Sequence, residues 1–262
     1  MSTQTHTAYP GGDTASIWYG TFETPTFPAL GRSLTADVCI VGAGIAGLST
    51  AYALTKAGKK VVVIDDGPVG GGESGRTTAH ITAAMDDRIF ELIRVHGEEH
   101  ARHIVQRHAA AINRVEQIVQ LERIDCDFER VTGYLFLGPD EKEDLIDREY
   151  EAARLMGLSD VKKLTRAPIA DWNSGPVLAF PMQAQFHVLK YLAGLSAAIV
   201  SGGGRIYCGT HVSGVKGGST CTVETEDGKK VTADAVCVCT NGSISDMYQT
   251  HIKQAPYRTS RS

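Results

Sequence analysis

The sequence predicts an α/β fold on three observations. Residues 37–66, "DVCIVGAGIAGLSTAYALTKAGKKVVVIDD", set an apolar run, a glycine-rich turn, a helical segment and a second apolar run in direct succession. Both apolar runs are continuous rather than alternating, as parallel strands covered on both faces require. A third run of this kind, "VTADAVCVCTNG", returns only after a long excursion of a different character.

The elements follow in order. Residues 1–15 are polar and rich in Thr, Gly and Ser, which predicts disorder, and "SIWYGTFETPTFPAL" predicts a surface segment without a regular element. "ADVCIV", "GIAGLSTAYALTKAG" closed by Gly58, and "KKVVVIDD" form a strand, a helix and a strand, one βαβ unit. From Asp87 to Leu121 apolar residues recur at helical spacing, and Gly97 marks a break between two helices. "GYLFLG" reads as a strand, and "PDEKEDLIDREYEAARLMGL" as a charged amphipathic helix with Pro at its start and Gly157 near its end. These belong to a second layer, distinct from the βαβ unit. Residues 187–201 predict another helix. The stretch 204–242 then reads as a strand, a β-meander with turns at "KGGS" and "EDGKK", and a buried returning strand.

Composition narrows the function classes. The 262 residues carry 30 acidic and 26 basic side chains, a net charge of −4 with no long single-sign run. That excludes a nucleic-acid footprint or a polybasic membrane anchor as partners. "MSTQTHTAYPGGDTAS" has neither the basic nor the apolar region of a signal peptide, and no apolar run approaches the roughly 18 residues of a membrane span. The expectation is a soluble cytoplasmic chain. Its cysteines, Cys39, Cys126, Cys208, Cys221, Cys237 and Cys239, are scattered through buried runs and read as small core residues rather than a disulfide framework.

Gly42-Ala43-Gly44-Ile45-Ala46-Gly47 is G-x-G-x-x-G between a strand and a helix. Gly42 permits the tight turn, Gly44 leaves a pyrophosphate unobstructed at the helix N-terminus, and Gly47 lets helix and strand pack closely. Asp65 ends the second strand about 20 residues further on, where a carboxylate can accept from a ribose hydroxyl. An acid there disfavours NADP and leaves NAD and FAD open. The segment that follows, "DGPVGGGESGRTTAHITAAMDD", adds Arg76, Thr77 and Thr78, donors suited to a diphosphate or a flavin ring edge.

On "SIW", "ADVCIVGAGIAGLSTAYAL", "GGGESGRTTAHIT", "FPMQAQFHVLKYLAGL" and "KQAPYRT", the chain resembles the FAD-dependent oxidoreductases of the D-amino-acid oxidase superfamily. It is most similar to the branch in which a Rieske iron–sulfur domain follows the flavoprotein. The resemblance spans about residues 16–259. It implies a Rossmann-like FAD domain with an inserted α+β substrate domain, the FAD-binding segments at 36–86 and 187–242 and a substrate-domain segment at 122–186. It also implies FAD pyrophosphate at Gly42, Gly44 and Gly47, adenosine ribose at Asp65, and the path from diphosphate to flavin along Arg76, Thr77 and Thr78. Adenine is expected against the backbone of Val212, and Thr240-Asn241 beside the diphosphate. Val188 stands where the family pattern has proline at a helix start. His80 and His187 are candidate pocket groups. The implied reaction is oxidation of an amine or amino-acid-like substrate by hydride transfer to flavin N5. Because such proteins continue well beyond "KQAPYRT", the chain reads as a truncated member.

Three other readings stand beside this one. Cys208-Gly-Thr-His211 resembles half of a Rieske motif but lacks the partner pair a cluster needs, so two hairpin residues are the simpler reading. His96, Glu99 and His100 match the H-x-x-E-H spacing of a zinc hydrolase, although Gly97 weakens the helix which that motif requires. The chain could also bind a nucleotide without catalysing anything, since its clearest motif serves the ADP half alone.

Overall fold

A computed structural model describes residues 16–142 and 144–242. The stretch 1–15 and the "KQAPYRT" match lie outside the described residues. The elements are α1 (Ile17–Thr21), β1 (Leu34–Val41), α2 (Ile45–Lys56), β2 (Val61–Ile64), a 3-10 turn (Glu73–Arg76), β3 (His80–Ile81), α3 (Ile89–Glu122), β4 (Glu129–Phe136), α4 (Asp144–Leu155), β5 (Lys162–Leu164), β6 (Val177–Gln185), α5 (Val188–Ser201), β7 (Arg205–Tyr207), β8 (Val212–Lys216), β9 (Cys221–Thr225) and β10 (Lys230–Val238). They divide into two compact units, one from residues 1–77 with 188–262 and one from 78–187.

The first unit is built on a six-stranded sheet in the order β7-β2-β1-β10-β9-β8. The first four strands are parallel, with Val38 of β1 level with Val61 of β2 and Ala235 of β10. All four β2 side chains are buried, which explains the unbroken apolar run. Ile40 lies beneath Gly47 of α2, and α2 packs against α5. On the other face Cys39, Val41, Val62 and Ile64 share an apolar cluster with Val223 and Val231 of the meander. The meander must fold back to do this. In a flat sheet β7 and β8 would stand about 24 Å apart, five strand spacings, whereas the link from Tyr207 to Val212 reaches only about 17 Å. Residues 208–211 are therefore not part of a hairpin; they connect two strands that lie far apart in the sheet order.

The N-terminal segment also differs from expectation. "IWYGT" forms α1, with the Trp18 N–H donating to Ser16 Oγ at 3.2 Å as its cap. The indole N–H of Trp18 donates to the Thr77 carbonyl (2.7 Å), and the Tyr19 hydroxyl donates to the Gly70 carbonyl (2.8 Å). Two aromatic side chains thus tie the helix to the loop after β2, a long-range gain that local propensity does not reveal.

In the second unit β6 is the centre of a sheet, paired with β4 on one side and with β3 and β5 on the other. Sequence reading missed β6 because Pro181 and Met182 interrupt it. Met182 has φ 63° and the β4–β6 register shifts between Val131 and Gly133, so the strand survives as a bulge. The FAD segment expected through residue 86 contributes only as far as Thr77 to the first unit; His80–Ile81 pairs with Gln185 and Ala184 of β6. α3 is broken at Gly97 (φ 77°, ψ 163°), as expected, and it packs with α4, Leu178 and Phe180 around Val105, Ile146 and Met156.

Glu149 of α4 is the buried acid of this core, 1% exposed, accepting from the N–H groups of Ile89 (3.0 Å) and Phe90 (3.3 Å). It caps α3 from a neighbouring helix. Burial raises its carboxyl pKa, against the lowering pull of those two N–H groups. A raised folded pKa means that the fold favours the protonated form, so this group's contribution to stability falls as pH rises through the carboxylate range. Urea unfolding is expected to show Glu149→Ala less stable by about 2 kcal/mol, from two buried donors left unpaired. Equal stability for the variant would show that the cap contributes nothing.

Candidate functional site

The parallel strands of the first unit end together at Val41, Ile64, Tyr207 and Val238. From β1 the chain crosses through α2 to β2 on one side, while β10 joins β1 on the other. That reversal is a switch point, where the ends of the strands open a crevice. The glycine motif fills it. Gly42 turns at φ +112°, and a Cβ there would stand 2.7 Å from the Cys239 carbonyl oxygen of the chain leaving β10. At Gly47 a Cβ would lie 1.8 Å from the Gly42 carbonyl oxygen, so α2 closes on the turn only with hydrogen at that position. Gly44 is the N-cap of α2 and provides no side-chain cap. The Ile45 N–H donates to Ser74 Oγ (3.0 Å), and a Cβ on Gly44 would meet the same oxygen at 3.0 Å.

Asp65 is half-buried at the end of β2. Its Oδ2 accepts from the Ala43 N–H (2.5 Å) and its Oδ1 from the Gly67 N–H (2.8 Å). Burial raises its pKa, the two N–H groups lower it, and the neighbouring Asp66 carboxylate raises it further. The carboxylate expected to meet a ribose thus also ties the glycine turn to the next loop. The Gly70 N–H donates to the Ala43 carbonyl (3.1 Å), and Gly70 (φ +69°) presses on Leu189 and Leu192 of α5. A Cβ at Gly75 would collide with the Tyr19 hydroxyl, so the glycine run "GGGESG" is an ordered strap under α1 and α5.

A small, half-open hollow lies at the strand ends, lined by Gly42, Asp65, Asp66, His211, Val212 and Thr240 among others. Four of the expected site residues, Gly42, Asp65, Val212 and Thr240, therefore meet at one cavity, with Gly44 and Gly47 at the helix end beside it. Val212 opens β8 opposite Thr225, and the Thr240 hydroxyl donates to the Gly242 carbonyl (2.6 Å). Arg76 and Thr77 lie outside the hollow, at the end of the turn that carries Ser74. Thr78 is exposed and falls in the second unit, as do His80, exposed on β3, and buried His187, whose N–H donates to the Cys126 carbonyl (2.7 Å). Ser74, Asp66 and the Trp18–Tyr19 pair went unassigned in the sequence, and His211 was read there only as a hairpin residue. The second acid of "IDD" was a visible signal; the others act through contacts distant in the chain.

The zinc reading does not survive. His96, Glu99 and His100 are exposed and straddle the break at Gly97, so the two histidines do not share a regular helical turn. Among the described residues no three His, Cys, Asp or Glu side chains come together as a metal site. None of the six cysteines forms a disulfide. Burial pushes the Cys39 thiol up to about 12 and the Cys208 thiol up to about 11, which keeps both protonated and structural. No helix among the described residues is long and apolar enough to cross a membrane.

Fold and site define a dinucleotide-binding α/β protein: a Rossmann-like unit, with a crevice at its switch point, interrupted by an α+β insertion. The family model "FAD dependent oxidoreductase" matches residues 37–261. The chain belongs to that family. It is 35% identical over 232 residues to the putative Rieske 2Fe-2S iron-sulfur protein YhfW of Bacillus subtilis, covering 88% of this chain and 45% of that protein. Identity to gamma-glutamylputrescine oxidoreductase of Escherichia coli is 28%, over 86% of this chain and 54% of that one. The chain thus spans about half the length of the curated relatives it matches. Among solved structures, glycine oxidase from Geobacillus kaustophilus superposes with TM-score 0.65 at 22% identity, over 79% of this chain and 55% of that one.

Gly47→Ala is expected to prevent the first unit from folding, because its methyl must displace a backbone carbonyl. Gly31→Ala, with nothing within 4 Å of the added Cβ, serves as the control. Circular dichroism of the two variants decides; a folded Gly47→Ala protein with an unchanged unfolding midpoint would contradict the packing described.

Proposed function

We propose that the first unit binds FAD and that the protein of which this chain is a part oxidises an amine or amino-acid-like substrate. The observation that carries the reading is the hollow at the switch point, lined by Gly42, Asp65, Val212 and Thr240 beside the N-terminus of α2, whose N-cap Gly44 carries no side chain. A diphosphate there meets a helix end that favours anions. Gly42, Gly44 and Gly47 would hold it, Thr240 would flank it, Val212 would offer backbone groups to the adenine, and Asp65 would stand at the ribose. Arg76, Thr77 and Thr78 would continue the contacts toward the flavin.

FAD when bound supplies the hydride acceptor at N5. The chain's own residues then bind and orient, which is most of what hydride transfer asks of a protein. The amine class of substrate is supported by the family match and by similarity to a relative named for gamma-glutamylputrescine. Six cysteines, none of them in a disulfide, support a reducing, cytoplasmic setting. A second reading, nucleotide binding without turnover, is supported by the site itself, since the residues around the hollow bear on the ADP half.

An absorption spectrum of the purified chain tests the cofactor. Flavin bands are expected. Gly44→Val, which drives a branched side chain against Ser74, is expected to lower bound flavin at least about tenfold with circular dichroism unchanged. Arg76→Ala is expected to lower flavin occupancy as well; full occupancy in that variant would remove Arg76 from the site. Reduction of the flavin bands by added amines or amino acids distinguishes turnover from binding alone.

A further inference from the structure

The stretch "SIWY", residues 16–19, does not line the hollow, yet two of its side chains hold the loop from Gly67 to Thr77. The Tyr19 hydroxyl donates to the Gly70 carbonyl (2.8 Å), and the Trp18 indole N–H donates to the Thr77 carbonyl (2.7 Å). These two points stand differently toward the glycine turn. Gly70 is joined to it directly, its N–H donating to the Ala43 carbonyl (3.1 Å), and Ser74 is joined to it through the Ile45 N–H (3.0 Å). Thr77 comes after both links, in extended backbone (φ −72°, ψ 161°) at the end of the 3-10 turn that carries Arg76. Trp18 is itself held by its own helix: its N–H donates to Ser16 Oγ, and its carbonyl accepts from the Phe22 N–H (3.1 Å). It is half-buried, whereas Ile17 beside it is 70% exposed.

Resting on the FAD reading above, we propose that Trp18 is a positioning residue for the flavin half of the cofactor, and that Tyr19 secures the half of the loop that serves the diphosphate. On the FAD reading, Arg76 and Thr77 meet the cofactor beyond its diphosphate. Backbone already held in place there loses less conformational freedom when the ligand arrives, so a bond that holds it adds affinity for the part of the ligand that reaches it. The indole suits this role, because a rigid ring with two χ angles presents its single donor at small entropic cost. The ADP half rests instead on the glycine turn and on Asp65, Val212 and Thr240 at the hollow. Loss of the indole donor therefore weakens FAD and spares ADP. Loss of the Tyr19 hydroxyl, which acts on the peptide joined to the glycine turn, weakens both.

Calorimetric titration of the full chain, freed of flavin, with FAD and with ADP separates the two roles, with thermal unfolding recorded for each flavin-free variant. Trp18→Phe keeps an aromatic ring and removes the donor. It is expected to raise the FAD dissociation constant about fivefold while the ADP constant stays within about twofold. Tyr19→Phe removes only the hydroxyl and is expected to raise both constants by the same factor. Ile17→Ala, on the exposed side of the same helix, is expected to change neither. Where Trp18→Phe also lowers the unfolding midpoint, the ratio of the FAD to the ADP constant still decides, because a general loosening of the unit weakens both ligands alike. A ratio in Trp18→Phe equal to that of the wild type overturns the assignment and leaves the FAD reading intact. A wild-type chain that binds neither FAD nor ADP overturns both.

Discussion

The first unit depends on one close approach, between the turn after β1, the start of α2 and the chain leaving β10. A Cβ on Gly47 would lie 1.8 Å from the Gly42 carbonyl oxygen, and one on Gly42 would lie 2.7 Å from the Cys239 carbonyl oxygen. Backbone therefore meets backbone on both sides of Gly42. This brings the N-terminus of α2 to the switch point, where the helix dipole favours an anion. Asp65 then secures the turn by accepting from Ala43, and the strands on either side place Val212 and Thr240 around the same hollow.

The loop from Gly67 to Thr77 shows how a glycine-rich segment is made rigid. Two of its glycines sit where a side chain would collide: Gly70 against two leucines of α5, Gly75 against Tyr19. Carbonyls near both ends, at Gly70 and Thr77, accept from the aromatic side chains of α1. Ser74 then reaches the first N–H of α2. A segment that reads as flexible is thus held by three elements, and the loop expected to lead from diphosphate to flavin takes its shape from the protein's own contacts. Such preorganisation lowers the ordering cost of binding.

The insertion has its own logic. Glu149 closes the start of α3 from α4, joining the two helices by two buried hydrogen bonds to its carboxyl group. β6 carries the sheet through a bulge, and α3 and α4 cover its Leu178 and Phe180, while Ala184 packs against Ile112 of α3. This unit therefore holds a core separate from the nucleotide fold, in keeping with a sequence that leaves the nucleotide fold at Thr77 and rejoins it at Val188.

Local pattern determined much of this protein. The βαβ unit, the break at Gly97, the meander and the returning strand were legible, because apolar periodicity and glycine placement record backbone conformation and burial directly. The glycine spacing with Asp65 located the crevice for the same reason. Tertiary structure alone decided the rest. α1 forms because Trp18 and Tyr19 find carbonyls more than 50 residues away in the chain. β6 persists despite Pro181 because neighbouring strands complete its ladder, and the Cys208–His211 link bridges strands at opposite ends of the sheet order. The folded backbone captures the Asp65 carboxylate and leaves that of Asp66 exposed. Sequence cannot express that, since the two residues are chemically identical and only the turn of the strand end separates them.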